Sequence, residues 1–136
     1  MIIVASGGFD PLHSGHISMF RQAHLFGEVW AIVNTYEWLQ RKKGFVMLPY
    51  KERSEIVSST QFIYKVIKDN DDTVVNNLKD MGRHFAFANG GDRVPTSTPE
   101  MEYCLKNNIP MLFNIGGKKT MSSSDIARNL LDQATK

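Results

Sequence analysis

Short apolar runs alternate with amphipathic segments along the 136 residues of the chain. The runs predict five strands, at residues 2–6, 28–34, 62–67, 84–88 and 111–115. Between the runs, apolar residues recur three or four positions apart, and this spacing predicts helices. Strands that are almost continuously apolar are typical of a parallel sheet covered by helices on both faces. The pattern therefore predicts a doubly wound α/β fold.

Turn-forming residues separate the predicted helices from the strands. A first helix of about 14 residues is expected to have Asp10 as its N-cap, Pro11 in its first position and Gly27 at its end. Residues 35–43 fit either a short helix or a solvated loop. Further helices are expected at residues 50–59, 71–82, 98–107 and from 122 onward. The helical spacing predicts that the inward-facing residues include Ile56, Val57, Ile126, Leu130 and Ala134.

Composition limits the class of protein. With 42% apolar residues, the chain is long enough for one compact domain over residues 1–136 and too short for two. A net charge of +2 gives no broad basic field, which argues against a nucleic acid partner. The single cysteine, Cys104, excludes an intramolecular disulfide and is expected to be a half-buried thiol on a helix. No segment resembles a membrane span or a secretory leader, so we expect a cytoplasmic protein without a membrane partner.

Residues 7–16, with the sequence GGFDPLHSGH, directly follow the first strand and give the strongest chemical signal. Gly7 and Gly8 can adopt positive φ and leave room for an anion close to the backbone. His13 and His16 are three residues apart, so both are expected on one helix face, directed at the same phosphates in neutral or charged form. A capped helix start with two surface histidines is the alternative. The glycines, strand and histidines together favour a polyphosphate site at a helix N-terminus.

This decapeptide resembles the GxFDxxHxGH signature of the HxGH nucleotidyltransferase superfamily, which includes cytidylyltransferases and small adenylyltransferases. The resemblance implies a Rossmann-like domain that transfers a nucleoside monophosphate from ATP or CTP to a small phosphorylated substrate, releasing pyrophosphate. It also implies Mg²⁺ bound with the triphosphate, no metal-ligating residue of the protein, and a homodimer. It implies catalytic roles for His13 and His16 and nucleotide contacts for Gly7, Gly8, Phe9, Asp10 and Gly15.

Two basic positions further along the chain add candidate contacts. In related cytidylyltransferases a lysine follows the second strand, and Lys43 matches its place best, with Lys42 second. Such a lysine could close over the triphosphate and neutralise charge on the departing pyrophosphate, whereas a solvated loop is the structural alternative. Arg53, in KERSEIV, resembles a family arginine in the first turns of its helix. We expect it either to contact substrate or, like most exposed helix arginines, to pair with Glu52 or another carboxylate.

A second glycine pair, Gly90 and Gly91, follows the fourth predicted strand and precedes Asp92. In a doubly wound sheet of strand order 3-2-1-4-5, the first and fourth strands are neighbours, and ligands bind outside their carboxyl ends. Both glycine motifs are then expected to face one crevice, unless the pair is an ordinary turn. Asp92 could accept hydrogen bonds from a ribose or a base, or hold Mg²⁺ indirectly. The segment resembles the GGD of sugar-phosphate nucleotidyltransferases, which implies that Gly91 and Asp92 contact the nucleotide.

The last predicted helix opens with three serines, Ser122, Ser123 and Ser124. Serine is a good N-cap and Asp125 complements the helix dipole, so capping alone would account for these residues. Hydroxyls and unpaired N–H groups at the positive end of a helix also form an anion site. The segment SSSDI resembles the ISTT or ISSS motif of the superfamily, which implies that the three serines bind the triphosphate.

One position departs from the pattern of the glycerol-phosphate cytidylyltransferases, because Gly117 stands where they have an arginine. Lys118 or Lys119 could supply the charge, although a lysine cannot form a bidentate fork. Chain length and the GGD segment favour the adenylyltransferase domain that activates heptose 1-phosphate, with glycerol 3-phosphate cytidylyltransferase second. A non-catalytic nucleotide-binding module would be expected to lose a histidine or the serines. An NAD-type oxidoreductase would need GxGxxG and an acidic residue after the second strand.

Overall fold

The computed structural model describes residues 1–69, 74–82, 84–89, 98–113, 115–116 and 122–135. Strands and helices follow the order β1 (Ile2–Gly7), α1 (Ser14–His24), β2 (Glu28–Val33), α2 (Tyr36–Lys43), α3 (Tyr50–Ser58), β3 (Ile63–Lys68), α4 (Val75–Asp80), β4 (Phe85–Ala88), α5 (Pro99–Lys106), β5 (Met111–Leu112) and α6 (Ser123–Ala134). Residues 35–43 are helical, because the Thr35 hydroxyl accepts a hydrogen bond from the Trp38 amide and Gly44 ends the helix with a φ of 81°. All five predicted strands are present, although β5 is shorter than its apolar run.

The five strands form one parallel sheet in the order β3-β2-β1-β4-β5, which confirms the predicted topology. Strand β1 lies at the centre, and its Val4 is opposite Trp30 of β2 and Phe87 of β4. The carboxyl ends of β1 and β4 therefore lie side by side at the point where the strand order reverses. This is the place where doubly wound sheets bind ligands.

Each face of the sheet buries its own apolar cluster. On the face covered by α1 and α3, Ile3 and Ala5 pack with Phe20 and Val57. On the opposite face, Val4, Ile32 and Phe87 pack with Leu78 of α4 and Cys104 of α5. The alternation along β1 follows the two-residue period of a strand.

Cys104 is fully buried in the second cluster rather than half-buried as expected. Burial raises the pKa of its thiol to about 11, with a smaller contribution from the charge of Glu100. The side chain is therefore a neutral part of the core near neutral pH.

The predicted end of α1 is wrong at Gly27. The helix ends at His24, with Leu25 as a right-handed C-cap whose N–H donates to the Gln22 carbonyl. A side chain at Gly27 would collide with the Met1 carbonyl, so this glycine permits close packing rather than a left-handed turn. Gly82 does follow α4 with a φ of 75°, as predicted. The expected start of α4 at residues 71–72 lies outside the described residues.

Three of the residues predicted to face inward are exposed instead. Val57 is buried, but Ile56 beside it is 41% exposed. Leu130 is 63% exposed and Ala134 is exposed, because α6 contacts the rest of the chain through its first turn. Helical periodicity identifies residues that share a face, but it does not say whether that face meets a core. Among the helices of the described ranges, none is long and apolar enough to cross a membrane.

Candidate active site

The glycines that follow β1 make room for side chains of the protein itself. A Cβ on Gly8 would lie 2.7 Å from a methyl carbon of Leu39 in α2, and one on Gly7 would lie 3.3 Å from the Phe9 ring. The expected positive φ is not at either glycine, which corrects the prediction, but at Phe9, with a φ of 51°. Close packing at this turn therefore explains both glycines before any ligand is considered.

His13 and His16 cap helix α1 together. The His13 Nδ1 accepts a hydrogen bond from the Gly15 amide at 3.1 Å, and the His16 Nδ1 accepts one from the His13 amide at 3.1 Å. Asp10 as N-cap and Pro11 as first helical residue are therefore wrong predictions, because His13 is the N-cap and Ser14 begins the helix. Each neutral ring then carries its proton on Nε2, since Nδ1 must be an unprotonated acceptor.

The two imidazoles lie against each other, which confirms that they share one side of the helix start. Their ring centroids are 3.8 Å apart with 33° between the planes. The Phe9 ring is 5.0 Å from the His16 ring in an edge-on arrangement and 5.5 Å from the Phe20 ring. Phe9 is thus a buried support for His16, and its predicted nucleotide contact stays a prediction.

Asp10 anchors the loop before α3 instead of capping α1. Its two carboxylate oxygens accept hydrogen bonds from the amides of Met47 at 2.7 Å and Leu48 at 2.8 Å. The residue is buried. Its partners are 37 and 38 positions away, so no local sequence pattern could have indicated this role. Two charge-assisted bonds hold the loop against the histidine turn.

Arg53 is fully buried, contrary to the expectation of an exposed helix arginine. Its Nε donates to the Leu48 carbonyl at 2.9 Å, and one Nη donates to the carbonyls of Gly8 at 3.0 Å and Asn34 at 2.7 Å. Burial lowers the pKa of the guanidinium, and the nearby Asp10 carboxylate opposes that shift. Arg53 therefore fastens the carboxyl ends of β1 and β2 to the start of α3.

The basic end of α2 lies on the surface. Lys42 and Lys43 are exposed, and the Lys42 ammonium lies 5.8 Å from the Trp38 ring centroid. Gly44 directly follows as the left-handed C-cap. The structure joins α2 to the first motif through Leu39, which packs on Gly8. A role for either lysine on the triphosphate remains a prediction.

The start of α6 lies against the histidine motif. The Ser123 hydroxyl donates to the Pro11 carbonyl at 3.1 Å across 112 residues of sequence. Ser122 is the N-cap, whose hydroxyl accepts from the Asp125 amide and whose amide donates to the Asp125 carboxylate. Ser124 is exposed. The structure thus brings together two of the three predicted phosphate motifs.

Gly116, in the segment after β5, lies along α1. The Gly116 carbonyl accepts from the Ser18 hydroxyl, and its amide donates to the Gln22 side chain. Asn89, at the end of β4, is buried and hydrogen-bonds through its backbone to Leu112 and Ile115. The predicted contacts of Gly91, Asp92, Lys118 and Lys119 fall outside the described residues.

A metal ion held directly by the protein would need several ligating side chains close together. Within the described ranges, no three histidine, cysteine, aspartate or glutamate side chains come together as a metal site. Both carboxylate oxygens of Asp10 already accept backbone amides. Mg²⁺ characteristically takes few protein ligands and many from phosphates and water, and the described donor set is compatible with that mode.

The fold and the paired motifs can now be compared with known proteins. A model of the cytidylyltransferase-like family matches residues 4–129. The chain belongs to the cytidylyltransferase-like family. The match includes both the histidine turn and the start of α6, so the two motifs that contact each other are parts of one family domain.

Known relatives of the family cover different shares of the chain. It is 26% identical to the FAD synthase of Archaeoglobus fulgidus over 57% of this chain and 57% of that protein. It is 25% identical to the bifunctional protein HldE of Pelobacter propionicus over 88% of this chain and 25% of that protein. The chain thus spans little more than half of the first relative and a quarter of the second.

A solved structure has the same fold. The lipopolysaccharide core biosynthesis protein of Thermoplasma volcanium GSS1 superposes with a TM-score of 0.69 and 19% identity, covering 83% of this chain and 94% of that one. At that identity the likeness concerns the fold of the family domain.

Proposed function

We propose that this chain is a nucleotidyltransferase that moves a nucleoside monophosphate from ATP or CTP to a phosphorylated sugar or polyol, releasing pyrophosphate. The observation that carries the proposal is the contact between the two helix starts. The stacked His13 and His16 cap α1, and Ser123 of α6 is hydrogen-bonded to Pro11 in the same turn. Two helix N-termini and two imidazoles therefore lie close together near the switch point of the sheet, an arrangement suited to a polyphosphate.

The reaction needs no covalent attack by the protein. The acceptor phosphate is itself the nucleophile, and the site must hold it in line with the α-phosphorus of the nucleotide. His13 and His16 donate from Nε2 to the phosphate oxygens, because their Nδ1 atoms are occupied by the cap. Lys43 or Lys42 and the serines of α6 stabilise the departing pyrophosphate. Mg²⁺, carried on the triphosphate, neutralises phosphate charge when bound.

The acceptor is proposed from the resemblance and the relatives. A heptose 1-phosphate-like acceptor with ATP is favoured by the GGD segment and by the match to HldE over 88% of this chain. Glycerol 3-phosphate with CTP is the second candidate. The FAD synthase match adds riboflavin 5′-phosphate, which is also a phosphorylated polyol. We also propose that the active form is a homodimer.

The direct test is pyrophosphate release from ATP and CTP with Mg²⁺ and each of these three acceptors. One donor and acceptor pair is expected to support turnover, and His16→Asn is expected to remove it. His24→Asn is the matched control, because His24 is exposed at the other end of α1. Tight nucleotide binding with no release from any pair would contradict the proposed reaction.

A further inference from the structure

Two pairs of polar residues lie on one face of the sheet near its carboxyl edge: Ser6 beside Asn89 and, two residues further along, Asn34 beside Asp69. Asp69, Asn34, Ser6 and Asn89 each stand two positions after an apolar residue of the cluster on the α4 and α5 side. Backbone hydrogen bonds of the sheet continue at these residues. The backbone N–H of Asn34 donates to the Gly7 carbonyl, that of Asp69 to the Val33 carbonyl and that of Asn89 to the Leu112 carbonyl. Because strand side chains alternate, all four side chains belong to that face at its carboxyl edge.

The two pairs differ in how their polar atoms are satisfied. In the pair on β2 and β3, the Asn34 side-chain amide donates to the Asp69 carboxylate at 3.1 Å. In the pair on β1 and β4, the Asn89 side-chain nitrogen is buried and has no hydrogen-bond partner within the described part of the chain. A buried amide donor without a partner costs free energy, and such groups are rare in folded proteins. This donor lies at the carboxyl end of β4, beside the switch point of the sheet.

We propose that Asn89 and Ser6 form a subsite that binds a hydroxyl group of the substrate. Ser6 is the neighbour of Asn89 on β1, two residues beyond the Val4–Phe87 pair. A hydroxyl can accept from the Asn89 nitrogen while it donates to the Ser6 oxygen, whereas a phosphate can only accept. The subsite deepens the proposed function and rests on it for the identity of the ligand.

The neighbouring side chains support a neutral group rather than a phosphate. Asp69, on the same face, is fully buried and accepts a hydrogen bond from the Asn34 side chain, so it offers no cation to an anion there. The histidine cap lies with α1 and Phe20, on the opposite face of the sheet. A ligand across the carboxyl edge would therefore place its phosphates on the α1 side and a hydroxyl near Asn89. The hydroxyl could belong to the nucleotide ribose or to the acceptor.

Asn89→Leu tests the subsite through binding, independently of turnover. Dissociation constants are measured by calorimetry for ATP, CTP, their 2′-deoxy and 3′-deoxy forms, and the three acceptors. We expect the variant to weaken one hydroxyl-bearing probe about 10-fold. Removing the critical hydroxyl from the probe should weaken binding to the original protein by a similar factor and leave the variant unaffected. A change seen with the deoxyribose analogues would mean that the bound hydroxyl belongs to the nucleotide. A change confined to one acceptor would mean that the hydroxyl belongs to that acceptor.

A stability measurement separates this role from a structural one. Leucine removes an unpartnered polar group, so the ligand-free thermal midpoint should stay the same or rise. Ser6→Ala should weaken the same probe, and Asn107→Leu, at the amino edge of the sheet, should weaken none. Unchanged binding of every probe, or a lowered midpoint with uniformly weaker binding, would overturn the subsite. Absence of pyrophosphate release by the original protein would instead count against the proposed reaction.

Discussion

Helices α1 and α6 begin with the same hydrogen-bond arrangement made from different chemistry. In each, the N-cap side chain accepts from the first turn, and the side chain three residues later accepts from the N-cap amide. In α1 both side chains are imidazoles, and the first turn contains no acidic residue. In α6 they are the Ser122 hydroxyl and the Asp125 carboxylate. The first arrangement leaves the positive helix end available to an anion, whereas the second already places a negative charge there.

The supports of the two helix starts also differ. Three residues support the α1 turn. Phe9 contacts the His16 ring, and Asp10 and Arg53 form hydrogen bonds to the backbone. At the α6 start, Ser123 supplies a single hydrogen bond to Pro11. We infer that α1 provides the rigid part of the site and α6 the part that is more easily displaced. The following variants test this contrast.

The largest effect is expected from His13→Asn and His16→Asn. Asparagine can supply an oxygen in place of Nδ1, so the cap is kept while the Nε2 donor is lost. The rate of pyrophosphate release should fall about 100-fold to 1000-fold. Urea unfolding should give nearly unchanged stability. A parallel loss of stability and rate would mean that the histidines act only as caps.

Replacing Arg53 should damage the α1 support. Arg53→Met leaves three backbone carbonyls without their donor and should reduce the free energy of unfolding by about 3 kcal/mol. Arg53→Lys should recover only part of this loss, because an ammonium cannot span the same carbonyls as a planar guanidinium. Exposed Arg41→Met is the control in the same denaturation series. Equal stability of the Arg53 and Arg41 variants would exclude the supporting role.

Ser123→Ala should loosen α6 with a smaller cost. The lost bond to Pro11 is worth about 1 kcal/mol, and we expect KM for the nucleotide to rise about five-fold with a smaller change in kcat. Ser124→Ala, one residue later and exposed, is the matched control. If the exposed serine has the larger effect on KM, direct phosphate contact by Ser124 outweighs the docking of the helix.

The smallest effect is expected from Asp125→Asn. The asparagine oxygen can still accept from the Ser122 amide, but the negative charge at the helix start is removed. Nucleotide affinity should rise about two-fold at low ionic strength, and the gain should disappear at about 0.5 M salt. Lower affinity at every salt concentration would show that the carboxylate positions the helix rather than opposing the ligand.

The sequence was sufficient for the order of elements and for the histidine pair. Apolar runs identified all five strands, and GGFDPLHSGH identified the turn that the structure places at the switch point. It was insufficient for Asp10 and Arg53, whose partners come from separate segments of the chain. Exposure of Ile56 and Leu130 was also unpredictable, because it depends on which elements meet after folding.

Glycine conformation showed a similar limit. Gly7 and Gly8 were expected to be able to adopt positive φ, but the room that a side chain would need at these positions is occupied by Phe9 and Leu39. The left-handed residue is Phe9, whose burial against His16 and Phe20 offsets an unusual backbone conformation. A sequence motif therefore located the site correctly while the cause of its glycines lay in packing.

The Ser123–Pro11 hydrogen bond has a consequence for synthesis of the chain. It joins residues 112 positions apart, so the turn that contains Pro11 is synthesised long before the serine that binds it. Because domains generally fold as units, the histidine turn can be completed only once α6 has been synthesised. Competence for nucleotide chemistry would then arrive as a single step, after α6 has left the ribosome.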